Sequence, residues 1–277
     1  MPRPNVNDNE EQLPKLSRMR YPDAVQGKEI YNVFGNRVIE TTTPSGVVLA
    51  VKVKPPQSFD RSEAEMMQYA ASNGVLTPNV RGVYEIITHM PLARVMVSEL
   101  VPGVSLDQVW HDMTAAQQSS IKDQLRTQLA RMRSCTQPFI GRLGRQATRN
   151  NFDSLGNTQQ GPFDSEEEFD NWCLARLRGN ALSRWKWKKF VERERRGSSG
   201  SFVLTHGDLT PRNIMVKDGV ITGIIDWERS GFFPGYAEYA FAMKLCHSHE
   251  DWWIPVLKEV LSPCSKERLE FTELIER

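Results

Sequence analysis

Several features that would place a chain in a special class are missing from this sequence. No apolar run approaches the roughly 18 residues that a membrane-spanning helix requires, and residues 1–15 lack the apolar core of a signal peptide. The four cysteines, Cys135, Cys173, Cys246 and Cys264, are far apart and form no C-x-x-C pair. We therefore expect neither a disulfide framework nor a zinc site, but reduced thiols in a cytoplasmic protein.

An excess of charge of either sign is also missing. The chain has 35 Lys and Arg against 34 Asp and Glu among its 277 residues, for a formal net charge of +1. It has no global field that would attract nucleic acid or an anionic membrane, so neither partner is expected. The basic and aromatic residues 184–196 are interpreted as a helix whose rings pack inward while its charges face water.

The remaining sequence falls into two blocks after a polar lead-in at residues 1–27. Residues 28–101 contain β-branched and apolar runs separated by turn signals, with a helical stretch that begins near Ser62, and predict five strands and one helix. Residues 102–277 are mostly helical, with a loop-rich stretch at 136–164 and one hairpin. The predicted class is α+β, with a β-rich N-terminal lobe and a mostly helical C-terminal lobe.

Two capping-box patterns support this assignment of helices. Ser62 with Glu65 and Thr114 with Gln117 both have the spacing in which a hydroxyl and a side-chain oxygen cap backbone amides reciprocally. We therefore expect helices to begin at both positions.

The hairpin in residues 202–228 carries most of the chemical information. Asp218-Gly219 between two apolar runs is a strong signal for a two-residue turn. Counting back from that turn places Asn213 opposite Ile224. On the same face, Asp226 is then a diagonal neighbour of Asn213.

Oxygen-bearing side chains are therefore expected to converge near the base of the hairpin. The amide oxygen of Asn213 and the carboxylate of Asp226 suit a shared magnesium ion, which prefers hard oxygen ligands. Asp208 precedes Asn213 by five residues in a loop and could accept or orient the proton of an attacking hydroxyl.

The motif pair formed by HGDLTPRN at 206–213 and IIDWE at 224–228 resembles that of aminoglycoside phosphotransferases and choline-kinase-like enzymes. It is most similar to the fungal members, which also carry a segment like residues 227–236. The resemblance extends over residues 28–250. It implies a two-lobed protein-kinase-like fold and an ATP-dependent kinase that phosphorylates a hydroxyl group of a small molecule.

The resemblance also implies roles for individual residues. Asp208 would be the catalytic base or the residue that orients the hydroxyl, and Asn213 and Asp226 would be the magnesium ligands. His206 would brace the loop. The implied cofactors are ATP and Mg²⁺.

A kinase of this type needs a strand lysine for the nucleotide phosphates and a helix glutamate to position it. Lys52 and Lys54 share one face of a predicted strand; Lys52 is favoured because Ala50-Val51-Lys52 is similar to the kinase pattern. Glu63 is the favoured partner because a Met-rich turn follows it, and Glu65 remains the alternative.

Adenine recognition is expected in the segment 97–101. Glu99 and Leu100 are the residues implied by the resemblance, with the Leu100 backbone amide as the donor. No G-x-G-x-x-G motif lies near residues 35–37, so backbone amides, Lys52 and magnesium would hold the phosphates.

The acceptor is not identified by the sequence. Residues 228–253 are rich in acidic and aromatic side chains, which the resemblance associates with a cationic or amino-bearing substrate. Two other hypotheses stay open: an enzyme of specialised metabolism that uses the same fold without ATP, and a pseudokinase-like binding protein.

Overall fold

The computed structural model describes residues 20–33, 36–58, 62–153, 158–177, 179–197, 200–244 and 251–275. Internal contacts group the described residues into two compact units. Unit 1 contains the residues up to 58 together with 80–100, and unit 2 contains residues 62–79 together with those from 101 onward.

Unit 1 is an antiparallel sheet, as the alternation of apolar runs and turn signals predicted. Its strands are β1 (Lys28–Val33), β2 (Asn36–Thr42), β3 (Val48–Lys54), β4 (Val80–Ile87) and β5 (Pro91–Glu99). They lie in the order β1-β2-β3-β5-β4. The core consists of small and branched residues from three of these strands: Ile39, Val51, Val53, Ala93 and Val95.

The two candidate lysines lie on β3, which is an inner strand of this sheet. Lys52 is paired with Val38 and Met96, and Lys54 with Arg94. Lys52 is half-buried, whereas only 3% of Lys54 is exposed. Neither lysine is therefore the solvated charge of an edge strand.

Unit 2 combines helices with short strands. The helices are α1 (Ser62–Ser72), α2 (Leu106–Val109), α3 (Ala115–Ser134), α4 (Glu166–Ala175), α5 (Ala181–Glu194), α6 (Ala237–Lys244), α7 (Trp253–Val260) and α8 (Lys266–Leu274). The strands are β6 (Val104–Ser105), β7 (Thr136–Gln137), β8 (Thr148–Arg149), β9 (Gln159–Gln160), β10 (Phe202–Thr205), β11 (Ile214–Lys217), β12 (Val220–Ile224) and β13 (Gly231–Phe233). In the part of the chain described, none of the helices has the length and hydropathy needed to cross a bilayer.

Helix α3 begins as its capping pattern predicted. The Thr114 hydroxyl accepts from the Gln117 backbone N–H at 3.3 Å, and the Gln117 side chain accepts from the Thr114 N–H at 2.9 Å. Helix α1 begins at Ser62 itself. The Ser62 hydroxyl accepts from Arg142, and Gln146 donates to the Glu65 carboxylate, so both side chains take part in tertiary contacts.

Helix α5 corrects one detail of the sequence interpretation. Trp187 and Phe190 are buried, as expected for rings that pack inward. Trp185 instead is 61% exposed and Leu182 is 73% exposed, so the helix presents two large apolar side chains among its outward-facing cations. Helical spacing places Trp185 about 160° from Trp187 around the axis, which is why both rings cannot face the core.

Strands β11 and β12 form the predicted hairpin with Asp218 and Gly219 as its turn residues. Their φ angles of 51° and 75° are those of a type I′ turn. The predicted register is wrong by one residue, because Thr222 on β12 is an extra residue between the pairs Val216–Ile221 and Met215–Gly223. This bulge shifts the pairing so that Ile214, not Asn213, lies opposite Ile224.

A buried charge cluster joins α4 to α8. Asp170 is fully buried, its carboxylate accepts from Arg195 at 2.8 Å, and Arg268 lies 3.6 Å away. Burial raises the pKa of Asp170 to about 6, although both guanidinium groups act in the opposite direction.

This raised pKa predicts a pH dependence of stability. Between its ordinary pKa and about 6, Asp170 binds a proton in the folded state but not in the unfolded state. The free energy of unfolding should therefore fall as pH rises from 4 to 6, by up to roughly 3 kcal/mol from this group. Urea unfolding of wild type and Asp170→Asn across this range measures the difference in slope.

Glu270→Gln is the control for this experiment, because it removes a solvent-accessible carboxylate of α8 whose ion-pair partner is Lys266, outside the Asp170 cluster. It should keep the wild-type slope. Parallel pH profiles for wild type and Asp170→Asn would show that Asp170 does not titrate in this range.

Candidate active site

The loop that leaves β10 needs a glycine at its second position. Gly207 has a φ of 80°, in the left-handed region that favours glycine. A Cβ atom there would lie 2.6 Å from the carbonyl oxygen of Arg229. The loop can therefore pass this close to the 3-10 turn at Trp227–Arg229 only with glycine at this position.

His206 holds the loop from inside the protein. Its Nε2 lies 3.0 Å from the Ile225 carbonyl oxygen, and its Nδ1 lies 3.3 Å from the Asp208 backbone N–H. A carbonyl can only accept, so Nε2 carries the proton and Nδ1 accepts from Asp208. The ring is fully buried against Trp227. These contacts agree with the bracing role expected for His206.

Glu238 on α6 is a second brace, which the sequence interpretation missed. Its carboxylate accepts from the backbone N–H groups of His206 at 2.6 Å and of Gly207 at 3.1 Å. Burial raises the pKa of Glu238, while the backbone N–H groups oppose that rise. The expectation that the acidic residues of 228–253 face a substrate does not hold for Glu238. Instead it is buried and holds the loop.

Trp253 on α7 supports the same loop from another side. Its indole Nε1 donates to the Leu209 carbonyl at 3.0 Å, and its side chain is fully buried. Tyr239 is likewise buried in the core. Trp253 and Tyr239 are thus core residues and not part of an aromatic acceptor site, while His247, His249 and Glu250 lie outside the described residues.

Asp208 and Asn213 are joined directly. The Asn213 amide nitrogen donates to the Asp208 carbonyl oxygen at 2.9 Å and to its carboxylate at 3.3 Å. Because both partners are acceptors, the amide nitrogen must lie on this side. The amide oxygen of Asn213 is consequently turned away from Asp208, in an orientation that suits a cation.

The position of Asp226 relative to Asn213 differs from the predicted one. The Asn213 carbonyl accepts from the Ile225 N–H at 2.8 Å, so Asp226 comes one residue after the level of Asn213 and is not its diagonal strand neighbour. Asp226 itself is left-handed, with φ 65° and ψ 64°. This conformation ends the strand alternation and redirects the side chain.

The electrostatics of the site favour a cation. Burial raises the pKa of Asp208, and the nearby Asp226 carboxylate raises it further. Two carboxylates and an amide oxygen are the hard oxygen donors that Mg²⁺ prefers, and a divalent cation would relieve the repulsion between the carboxylates. The residues present therefore fit a magnesium ion. Across the described ranges, this site included, no group of three or more His, Cys, Asp or Glu side chains forms a metal-binding cluster, so the candidate donors here are carboxylates and an amide oxygen.

The two candidate glutamates of α1 differ in environment. Glu63 is 2% exposed, whereas Glu65 is exposed and its carboxylate accepts from Gln146 at 3.0 Å. Buried carboxylates are rarely left unpaired. The role of Glu63 as the partner of the strand lysine, with Glu65 as the alternative, stays a prediction.

The predicted adenine-binding segment requires a correction. The Leu100 N–H donates to the Val48 carbonyl at 3.0 Å, so it already has a partner and is not the backbone donor proposed from the sequence. The Glu99 side chain forms an ion pair with Arg81 on the neighbouring strand. Near the expected phosphate-covering segment, Arg37 is paired with Glu29 at 2.7 Å, and Gly35 lies outside the described residues.

Comparison with known proteins agrees with this arrangement. A family model described as "Phosphotransferase enzyme family" matches residues 27–260. An aminoglycoside 3'-phosphotransferase of Streptomyces fradiae is 26% identical over 244 residues, which cover 82% of this chain and 83% of the relative.

Solved structures share the fold at low sequence identity. A candidate fructosamine-3-kinase of Thermobifida fusca has a TM-score of 0.57 at 16% identity, covering 90% of this chain and 80% of the other. A thermostable mutant of aminoglycoside phosphotransferase APH(4)-Ia, in complex with AMP-PNP and hygromycin B, has a TM-score of 0.52 at 16% identity, covering 77% and 70%. These likenesses confirm the predicted fold class.

The role of Glu238 can be tested by Glu238→Gln. Glutamine keeps the volume but offers one acceptor oxygen, so its NH₂ group would face one of the two backbone donors. We expect a loss of roughly 2–3 kcal/mol in the free energy of unfolding and faster hydrogen exchange at the amides of His206 and Gly207. Urea unfolding and exchange mass spectrometry measure both effects.

Glu273→Gln is a suitable control because it removes an exposed carboxylate of α8. That carboxylate pairs with Lys244, which lies on α6, the helix that also carries Glu238. It should cost less than about 1 kcal/mol. Equal stability losses in the two variants, with unchanged exchange of the loop, would contradict the bracing role.

Proposed function

Because the chain belongs to the phosphotransferase enzyme family, we propose that it is a small-molecule kinase that transfers the γ-phosphate of MgATP to a hydroxyl group. The observation that carries this proposal is the junction of Asp208 and Asn213 beside Asp226. The amide of Asn213 is oriented by Asp208, and burial together with the nearby Asp226 carboxylate raises the pKa of Asp208, so that a bound cation would be stabilised here. A cytoplasmic location, where MgATP is available, is part of the proposal.

Each site residue has a separate task in this proposal. Asp208 accepts or orients the proton of the substrate hydroxyl, and its carboxylate is kept in place by the Asn213 amide. The Asn213 amide oxygen and the Asp226 carboxylate would hold Mg²⁺. When bound, magnesium would neutralise charge on the nucleotide phosphates. The contribution of the loop is chiefly positioning, since His206 and Glu238 hold its backbone.

Nucleotide binding is assigned to further residues. Lys52 would neutralise charge on the nucleotide phosphates, and Glu63 would position the Lys52 side chain. Lys54 is the alternative lysine. Glu99 and Leu100 remain the proposed adenine segment, where Leu100 could offer its carbonyl group because its N–H is engaged by Val48.

The proposed acceptor is a small molecule with a free hydroxyl. Support comes from the relatives, among which APH(4)-Ia forms a ternary complex with AMP-PNP and hygromycin B. A cationic acceptor is less well supported than the sequence suggested, because Glu238, Tyr239 and Trp253 are buried.

The first test compares MgATP binding and turnover in wild type, Asp208→Ala and Asp226→Ala. Asp208→Ala should retain calorimetric MgATP binding but lose about 10²–10⁴-fold in turnover, because the proton acceptor is gone. Asp226→Ala should lose the magnesium dependence of nucleotide binding. A screen of hydroxyl compounds with ADP release as the readout supplies the turnover assay.

Asp123→Asn serves as the control because it changes an exposed carboxylate on α3 whose side chain is 68% exposed. It should behave as wild type. If folded wild-type protein binds no MgATP, the kinase proposal is wrong and an ATP-independent use of the fold becomes the better hypothesis. Magnesium-dependent binding without turnover of any acceptor would favour a pseudokinase-like binding protein.

The second test separates the two lysines. Lys52→Met should raise the KM for MgATP by about tenfold or more through loss of phosphate neutralisation, an effect of at least roughly 1.4 kcal/mol. Lys54→Met should mainly change stability, because its side chain is nearly fully buried. Steady-state kinetics and urea unfolding of both variants measure the difference; the reverse pattern would assign the phosphate-binding role to Lys54.

A further inference from the structure

Arg142 is a fully buried cation in unit 2. Its Nη1 donates to the Ser62 hydroxyl at 2.6 Å and its Nε donates to the Ser230 carbonyl at 3.0 Å. Its Nη2 donates to the Glu228 carbonyl. Burying a guanidinium group carries a large desolvation cost, and these three hydrogen bonds offset part of it while they fix the orientation of the side chain.

The backbone around Arg142 is held as firmly as its side chain. Gly141 and Phe232 on β13 exchange two backbone hydrogen bonds of 3.2 and 2.7 Å. The Arg142 N–H donates to the Gln146 carbonyl at 2.8 Å, and the Gln146 side chain donates to Glu65 on α1. The segment is thus attached to β13 at one end and to the first turn of α1 at the other.

These three acceptors of Arg142 belong to the two parts of unit 2 that carry proposed active-site residues. The carbonyls of Glu228 and Ser230 belong to the turn that directly follows Asp226. Ser62 is the first residue of α1 and directly precedes Glu63.

From this geometry we infer that Arg142 is a positioning residue, which fixes the turn carrying the magnesium ligand Asp226 against the start of the helix carrying Glu63. The inference rests on the proposed function. Asp226 has a left-handed backbone, which non-glycine residues keep only when their surroundings hold them there. Arg142 supplies part of that support through the two carbonyl groups that follow.

Lysine cannot replace this arrangement. The planar guanidinium carries donors on three nitrogen atoms, which here serve three acceptors in different directions. A lysine ammonium has its three donors on a single nitrogen and cannot span the same acceptors. Arg142→Lys therefore keeps the positive charge but cannot form the three hydrogen bonds at once.

The test compares Arg142→Lys with Arg268→Lys in the full-length protein. Arg268 is 2% exposed and contacts Tyr236 and Asp170, so it is a matched buried arginine of unit 2. Both variants should lose stability. Only Arg142→Lys should raise the Mg²⁺ concentration needed for half-maximal ATP binding in calorimetry, by about tenfold, the equivalent of losing one charged hydrogen bond.

Hydrogen exchange of the nucleotide-free protein is the second readout. In Arg142→Lys the backbone amides of residues 226–231 and of the first turn of α1 should exchange faster, with no such change in Arg268→Lys. If Arg142→Lys does not fold, Ser62→Ala removes only one acceptor and should raise the Mg²⁺ requirement about threefold.

Wild-type Mg²⁺ requirement and wild-type exchange in the folded Arg142 or Ser62 variant would overturn the inference. A different result would contradict the proposed function, namely that folded wild-type protein binds no MgATP. In that case the exchange experiment still decides whether Arg142 holds the Asp226 turn.

Discussion

Two carboxylates, those of Asp208 and Asp226, lie close enough to raise the pKa of Asp208 in a site that burial already makes unfavourable for charge. Such a pair persists only if the backbone on both sides is prevented from relaxing. Much of the described structure around the site holds the backbone of these two segments in place. The carboxylates belong to different segments, one in the loop after β10 and the other after β12.

The loop that carries Asp208 is held by its own His206 and by two side chains from distant parts of the chain. Glu238 accepts two of its amides, His206 contacts the Ile225 carbonyl, and Trp253 donates to the Leu209 carbonyl. The segment that carries Asp226 is held by Arg142 through carbonyl groups of the following turn. In each case a buried polar side chain binds main-chain atoms, which fixes backbone geometry more directly than packing alone.

The family motif and the alternation of apolar residues were sufficient to predict the class of fold, the sheet of unit 1 and the hairpin turn. These features depend on local chemistry, such as the φ angles that Asp218 and Gly219 accept or the reciprocal cap of Thr114 and Gln117. The bulge at Thr222 was missed although Gly223 beside it is a signal, because a glycine inside a strand can equally mark a close backbone approach. The roles of Glu238 and Arg142 were missed because their partners are far away in the chain.

The sequence by itself determined which residue types are available for phosphoryl transfer and the order of elements that carries them, because motif spacing and turn preferences act over a few residues. Tertiary structure decided which of those residues meet. It oriented the Asn213 amide, engaged the Leu100 N–H with Val48, and buried Glu238 and Trp253 as supports for the loop. Burial and hydrogen-bond partners are properties of residues brought together by folding, and linear spacing does not encode them directly.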